Sequence, residues 1–272
     1  MPLQKSPSPG RCHIMWRAKT GRSGEAVTVI NYIHPRAAMG KSCTIGFYSV
    51  VREDVWIGEG TSIGNNVTIY PGTVVGENCF IGDNCVLGKQ PHPARTSTVR
   101  PDGLLEPLRL GAGSVVGSGA VLYAGTVIKE EVMIGDLASV RERCKIGRRV
   151  IIGRGAVLEN DVSVGDYSKL QTGAYLTAHT SVSARAFIAP MVITANDNQM
   201  GRTEERLSEK RGPCIEEGAR IGAGALLLPG VRVAAETFVA AGSLVTRDTR
   251  PGTVVMGRPA RFVRFVPEKE KG

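Results

Sequence analysis

Stepping along the chain six residues at a time meets a large aliphatic side chain at every stop. The first run goes from Ile33 through Met39, Ile45, Val51, Ile57, Ile63, Ile69, Val75 and Ile81 to Leu87. The second runs from Leu110 through Val116, Leu122, Ile128, Ile134, Val140, Ile146, Ile152, Leu158, Val164, Leu170, Leu176 and Val182 to Ile188. The third holds Ile215, Ile221, Leu227, Val233, Val239 and Val245, which brings the total to thirty hexads. Gly often follows the aliphatic, and the fifth position is Ser, Thr, Ala, Val or Cys. Self-similarity at a fixed short period marks a solenoid, in which stacked units bury a core that none could bury alone. Two inward residues per hexad fill a narrow interior, while Gly, Asn and Asp turn the corners. Three hexads per turn predict an all-β parallel β-helix of about ten coils, stacked at the strand spacing of about 4.8 Å. A β-sandwich would need thirty in-phase coincidences.

Composition agrees. Aromatic residues are only 5% of the chain while hydrophobic residues are 42%, so the core relies on Val, Ile, Leu and Ala. The 34 glycines belong to a strand-and-turn composition. The net charge of +9 is partly local: Lys5, Arg11, Arg17, Lys19 and Arg22 stand in residues 1–22 without an acid, and without them the balance is +4. Residues 1–32 therefore read as a basic tail or lead-in, with Met15 a candidate start. No basic–aromatic cluster accompanies the charge, which argues against nucleic acid as a partner. No apolar run approaches the roughly 20 residues needed to span a bilayer, and no signal-peptide pattern opens the chain. The six cysteines form no CxxC pair, and Cys43, Cys79, Cys85 and Cys144 fall on fifth positions of the repeat. Buried free thiols in a reducing compartment are the expectation, and with them a cytoplasmic location.

Two insertions break the period, residues 93–109 and 194–214. Long polar loops on a rigid repeat are commonly functional. Counting through them puts the hexads at Leu87, Leu122, Val140, Leu158, Leu176 and Ile215 in one corner series, so both loops should arise beside the same edge. That edge is polar. Its second positions read Tyr123, Arg141, Glu159 and Thr177, its third Ala124, Glu142, Asn160 and Ala178, and its fourth Gly125, Arg143, Asp161 and His179. Glu142 and Asn160, one coil apart and facing outward, suit recognition of an amino group; a solvated charge ladder is the plainer alternative. Acyl transfer to an amine needs a proton acceptor, donors for the carbonyl oxygen and fixed positioning. Glu142 and Asn160 are the candidates, with His92 in the first loop as the rival base and His179 as a further one. No role is assigned to His13 or His34.

The hexads IGEGTS, IGNNVT, VGENCF and IGDNCV, with Val254–Arg261 (VVMGRPAR) at the end, resemble the hexapeptide-repeat acyltransferases over roughly residues 33–264. That resemblance implies a left-handed β-helix, which periodicity alone does not give; the handedness rule for parallel crossovers points the other way. It also implies a homotrimer with sites between subunits, and a β-helix domain of residues 33–257 followed by a short helical tail, 258–272. Within the superfamily, Ile134–Glu142 (IGDLASVRE), Leu158–Val162 (LENDV) and Thr194–Arg206 (TANDNQMGRTEER) are similar to nucleotide-linked amino-sugar N-acetyltransferases of the dTDP-3-amino-3,6-dideoxyhexose type. By that resemblance Glu142 and Asn160 meet the sugar amine; Tyr123, Arg141 and Glu159 on the polar edge, with Asn196, Asn198 and Arg202 in the second loop, are the candidates for binding the substrate. Acetyl-CoA, the co-substrate, lies along Ala223, Ala241 and Arg258. Three alternatives stay open: a CoA-dependent acyltransferase of amino-acid biosynthesis, a non-catalytic β-helix scaffold, and a γ-type carbonic anhydrase. The last needs three converging histidines, and His34, His92 and His179 lie many coils apart.

Overall fold

A computed structural model describes residues 31–97, 103–203 and 210–271. Almost all of the basic lead-in, Met15 included, and the segments 98–102 and 204–209 of the two insertions lie outside the described residues. The chain winds as a left-handed parallel β-helix with three flat faces. Most rungs are two-residue strands, such as Ser139–Val140, which pairs in parallel with the rungs eighteen residues before and after it. The second residue of each rung points inward. Thus Leu122, Val140 and Leu158 stack directly over one another and are fully buried. The three faces carry 11, 10 and 12 strands, more than the ten coils expected.

Part of the surplus is a rung hidden by its residue type. Ile193–Thr194 pairs with Tyr175 on one side and Leu226–Leu227 on the other, and Thr194 is 2% exposed. Thr194 stands where the period demands an aliphatic, so the count broke one hexad early. As a consequence Ile215 lies on the second face, beside Val182 and Val233, and not in the corner series of Leu176. The shared edge of the insertions survives this correction. The first loop joins the rung Val86–Lys89 of the first face to Arg109–Leu110 of the second, and the second loop joins Ile193–Thr194 to Cys214–Ile215 across the same corner. The first excursion also ends earlier than expected, because Leu108 is wholly buried and fills an inward slot.

At some fifth positions a buried hydroxyl ties neighbouring coils, whereas Thr73 Oγ1 is buried without a hydrogen-bond partner. Thr126 is buried, donates to the Arg141 carbonyl (2.7 Å) and accepts from the Cys144 N–H (3.1 Å), so one hydroxyl ties two coils. Most buried hydroxyls have such partners. Cys79, Cys85 and Cys144 are buried free thiols, and burial pushes Cys144 up to about 12, which leaves it protonated and inert. The end of the chain departs from expectation. In place of a helical tail after residue 257, Thr253–Gly257 extends the third face and pairs antiparallel with Ala260–Phe265. Among the described residues, one 3-10 turn, Glu268–Glu270, follows. The alternating Val254, Met256, Arg258 and Arg261, Val263, Phe265 suit a strand pair more than a helix face.

Candidate active site

The corner between the first and second faces differs from the other two on most of its coils, Gly88 being its one glycine in that slot. At the other corners the residue after the inward aliphatic is usually Gly, and for a steric reason: a Cβ on Gly76 would lie 2.4 Å from the Ala112 amide nitrogen, and one on Gly165 2.4 Å from that of Ala184. At the loop-bearing corner the same slot holds His34, Arg52, Tyr70, Tyr123, Arg141, Glu159, Thr177 and Leu228. Side chains there project outward on most coils, so their presence alone does not mark a site. What distinguishes the middle coils is charge and burial.

Glu142 is the centre of this region, and it is buried, with a side-chain exposure of 0%. The expectation of an outward-facing carboxylate is corrected: Arg141 lies against it. Arg141 Nε donates to Glu142 Oε2 at 2.9 Å and Nη2 to Oε1 at 3.1 Å, a two-pronged pair. Arg141 Nη1 also reaches Glu159 Oε2 at 3.3 Å, and the guanidinium lies 5.1 Å from the centroid of the Tyr123 ring. Burial opposes the Arg141 charge, but the neighbouring Glu142 and Glu159 outweigh it and hold its pKa above the ordinary value.

One coil on, the Asn160 side chain donates to Asp161 Oδ2 at 2.7 Å. Asp161 is gripped by Arg143 through Nε (2.7 Å) and Nη2 (2.6 Å), and His179 Nδ1 stands 4.0 Å from it. Burial pushes the Asp161 carboxyl up, yet the hydrogen bonds from Arg143 and Asn160 win and leave it lowered. Glu142 and Asn160 are thus on adjoining coils, linked by the bond from the Asp161 N–H to the Glu142 carbonyl (3.1 Å), while their side chains serve different partners.

A hollow of about 300 Å³ opens over Glu142, at the small end of ligand pockets. Lys89, Pro91, His92, Pro93, Ser97, Tyr123, Arg141 and Glu142 line it. The structure therefore brings His92, Tyr123, Arg141 and Glu142 together. Lys89, whose Nζ is 5.5 Å from the Tyr123 centroid, and Ser97 went unread in the sequence; the place of Lys89 just before the insertion was the available signal. Gln90 shapes the loop by donating to the Leu105 carbonyl (2.9 Å) and accepting from its N–H (3.0 Å). Glu159 adjoins the hollow through Arg141, and Asn160 does not line it. Asn196 donates to the Ala178 carbonyl at 3.3 Å further along the edge, and Asn198 and Arg202 are exposed in the second loop. Asp197 organises that loop by accepting the amide N–H of Gln199 and of Met200.

Ala223, Ala241 and Arg258 also come together, on the edge between the third and first faces. The Gly242 N–H donates to the Ala223 carbonyl (2.8 Å), and Arg258 Nε donates to the Gly242 carbonyl (2.7 Å). Within one chain this is a different edge from that of Glu142. Nearby, at the end of the β-helix, a hollow of about 340 Å³ is lined by Arg247, Arg250 and Arg261 among others. Among the described residues no group of three or more His, Cys, Asp and Glu side chains is arranged to hold a metal ion, and no helix is long and apolar enough to cross a membrane.

Residues 36–71, 54–89 and 125–160 match the bacterial transferase hexapeptide family (six repeats), and residues 214–247 match the hexapeptide repeat of succinyl-transferase. A 2,3,4,5-tetrahydropyridine-2,6-dicarboxylate N-acetyltransferase of Clostridium perfringens is 47% identical over 60 residues, 22% of this chain and 25% of that protein. The mitochondrial gamma carbonic anhydrase 2 of Arabidopsis thaliana is 35% identical over 147 residues, 52% of this chain and 50% of that one. The chain thus spans between a quarter and a half of the length of these relatives. Among solved structures, an Arabidopsis UDP-N-acetylglucosamine acyltransferase superposes with a TM-score of 0.55 at 16% identity, over 86% of this chain and 72% of that one, a likeness of fold.

Proposed function

The chain belongs to the hexapeptide-repeat acyltransferase superfamily, and from that premise we propose that it moves an acetyl group from acetyl-CoA to the amino group of a nucleotide-linked amino-deoxy sugar. The observation that carries the reading is Glu142: a carboxylate buried at the wall of a hollow, beneath a loop, and held with a cation already against it. A buried carboxylate is a strong partner for a substrate ammonium. It orients the amine and draws off the proton that must leave before nitrogen attacks the thioester carbonyl. The C–N bond forms as the C–S bond breaks, and the CoA thiolate leaves with a proton. Lys89 at the rim adds a cation beyond the Arg141–Glu142 pair, which suits a sugar carrying phosphates. Ala223, Ala241 and Arg258 fit the CoA arm as a ridge of small side chains closed by one cation, and Arg247, Arg250 and Arg261 suit its phosphates.

A homotrimer accompanies this proposal. The amine-binding and CoA-binding residues stand on different edges of the prism, so a site using both is built between neighbouring protomers. Phe80, Val115 and Met133 form an exposed apolar ladder on successive rungs of the third face, at 51%, 41% and 50% exposure, and suit burial against a second copy.

A second reading, transfer to the amine of an amino-acid precursor, draws on the Clostridium perfringens relative. Free-thiol release from acetyl-CoA decides between them when assayed against a panel of nucleotide-linked amino sugars and of amino dicarboxylates. Release with an amino sugar alone is expected. Release with dicarboxylates alone supports the second reading, and no release with any amine removes both.

A further inference from the structure

Arg141 answers a problem that Glu142 creates. A carboxylate with no exposed surface needs a compensating charge and hydrogen bonds to its oxygens. Arg141 supplies both, with Nε on one oxygen and Nη2 on the other. The same guanidinium has two other anchors, Glu159 through Nη1 and the face of Tyr123. Its side chain is 29% exposed and lines the hollow, whereas that of Glu142 is 0% exposed. An acceptor entering the hollow therefore meets the more exposed Arg141 first, and each oxygen of Glu142 already accepts a bond from it.

We infer that Arg141 is a resident stand-in for the acceptor's ammonium: its guanidinium fills the seat at Glu142 in the empty site, and a cationic acceptor enters by displacing it onto Glu159 and Tyr123. The inference rests on the acyl-acceptor reading and sharpens it to a substrate class. Exchange of one cation for another keeps the buried carboxylate neutralised at every stage. A hydroxyl acceptor brings no charge, so seating it would leave Glu142 uncompensated in a place where an unpaired ion is costly. The site thus selects primary ammonium groups over alcohols. Arg141 is a positioning and specificity-determining residue in this scheme, because it acts through Glu142. Glu159 is the second seat that makes its displacement reversible. The arrangement uses the planar fork of an arginine, which a lysine reproduces only as a point charge.

The test is binding without an acyl donor. Glucosamine is the cationic probe and N-acetylglucosamine the neutral control, titrated by NMR into wild type, Arg141→Gln, Arg141→Lys and Glu159→Gln. A vacated seat should bind glucosamine about tenfold more tightly in Arg141→Gln, the scale of one hydrogen bond to a charged group. Arg141→Lys should restore weak binding, and N-acetylglucosamine should be unmoved throughout. Glu159→Gln, which removes the second seat and leaves the Arg141–Glu142 pair whole, should weaken glucosamine binding. A folded Arg141→Gln protein that binds glucosamine no more tightly than wild type overturns the inference, as does failure of every variant to bind it. Should Arg141→Gln not fold, unchanged binding in Glu159→Gln overturns it alone. Failure of the acyltransferase reading looks different: tighter glucosamine binding in Arg141→Gln, but no thiol release with any amine.

Discussion

Glu142 and His92 both touch the hollow, and their environments separate their roles. Glu142 is enclosed and tied to Arg141, so its geometry is fixed before a substrate arrives, whereas His92 is exposed. Glu142→Gln keeps the shape and removes the charge. We expect it to lower kcat for acetyl transfer by about 10²–10⁴-fold, the usual scale for a positioned proton acceptor. His92→Ala should cost less than about tenfold on that scale; steady-state thiol-release assays on both variants check this, and a larger loss for His92→Ala would make the histidine the base. Burial also changes the expected stability of Glu142 variants, since removing one member of a buried pair leaves the other uncompensated. Asp161 predicts a pH dependence. Its folded pKa lies below the ordinary value, so the Arg143–Asp161 pair stabilises the fold above about pH 4. That contribution is lost as pH falls through the lower, folded value. Urea melts of wild type and Asp161→Asn should differ at pH 6 and converge as the pH falls towards 2.

The element that repeats is a two-residue rung with a tight corner, and two kinds of glycine serve it. Gly76 has an ordinary φ but no room, since its missing Cβ would meet the backbone of the next coil at 2.4 Å. Gly155 has a φ of +62° and open space around it. Gly76→Ala should destabilise by about 1–3 kcal/mol through overpacking. Gly155→Ala should cost about 1–2 kcal/mol, from left-handed backbone strain alone. Chemical denaturation of the two variants separates the mechanisms, because only the first pushes two coils apart and should broaden amide signals around Ala112. Left-handed corners do not mark the site. Leu137, Tyr167 and Met191 adopt them at other corners, as do Arg143, Asp161 and His179 along the loop-bearing edge. Coil stacking enforces that conformation wherever a turn falls.

For the whole molecule, the consequence of stacking is that chemistry is distributed along edges. Glu142 lies on one edge and Arg258 on another, and the exposed Phe80–Val115–Met133 ladder lies on the third face. If that face joins protomers, Met133→Glu should yield a folded chain of lower mass by light scattering, with its melting transition retained and acetyl transfer lost. A variant that keeps the wild-type mass would place the interface elsewhere.

The sequence determined the architecture. A rigid period of six, with aliphatic and small residues alternating at inward positions, calls for a three-sided stack of coils, though not for its hand, so Val140 and Leu158 had to stack and the coils of Glu142 and Asn160 had to adjoin. The common edge of the two insertions was legible for the same reason. The missed rung at Thr194 shows the limit: a buried threonine satisfied by hydrogen bonds with the Thr177 amide and Thr180 looks like loop in a count of aliphatics. Side-chain orientation was decided only by the tertiary structure. Whether Glu142 faces water or Arg141, whether Asn160 turns to the hollow or to Asp161, and whether the last strand folds back as a hairpin depend on neighbours from other coils and on desolvation. Those are long-range quantities, and a local period carries no information about them.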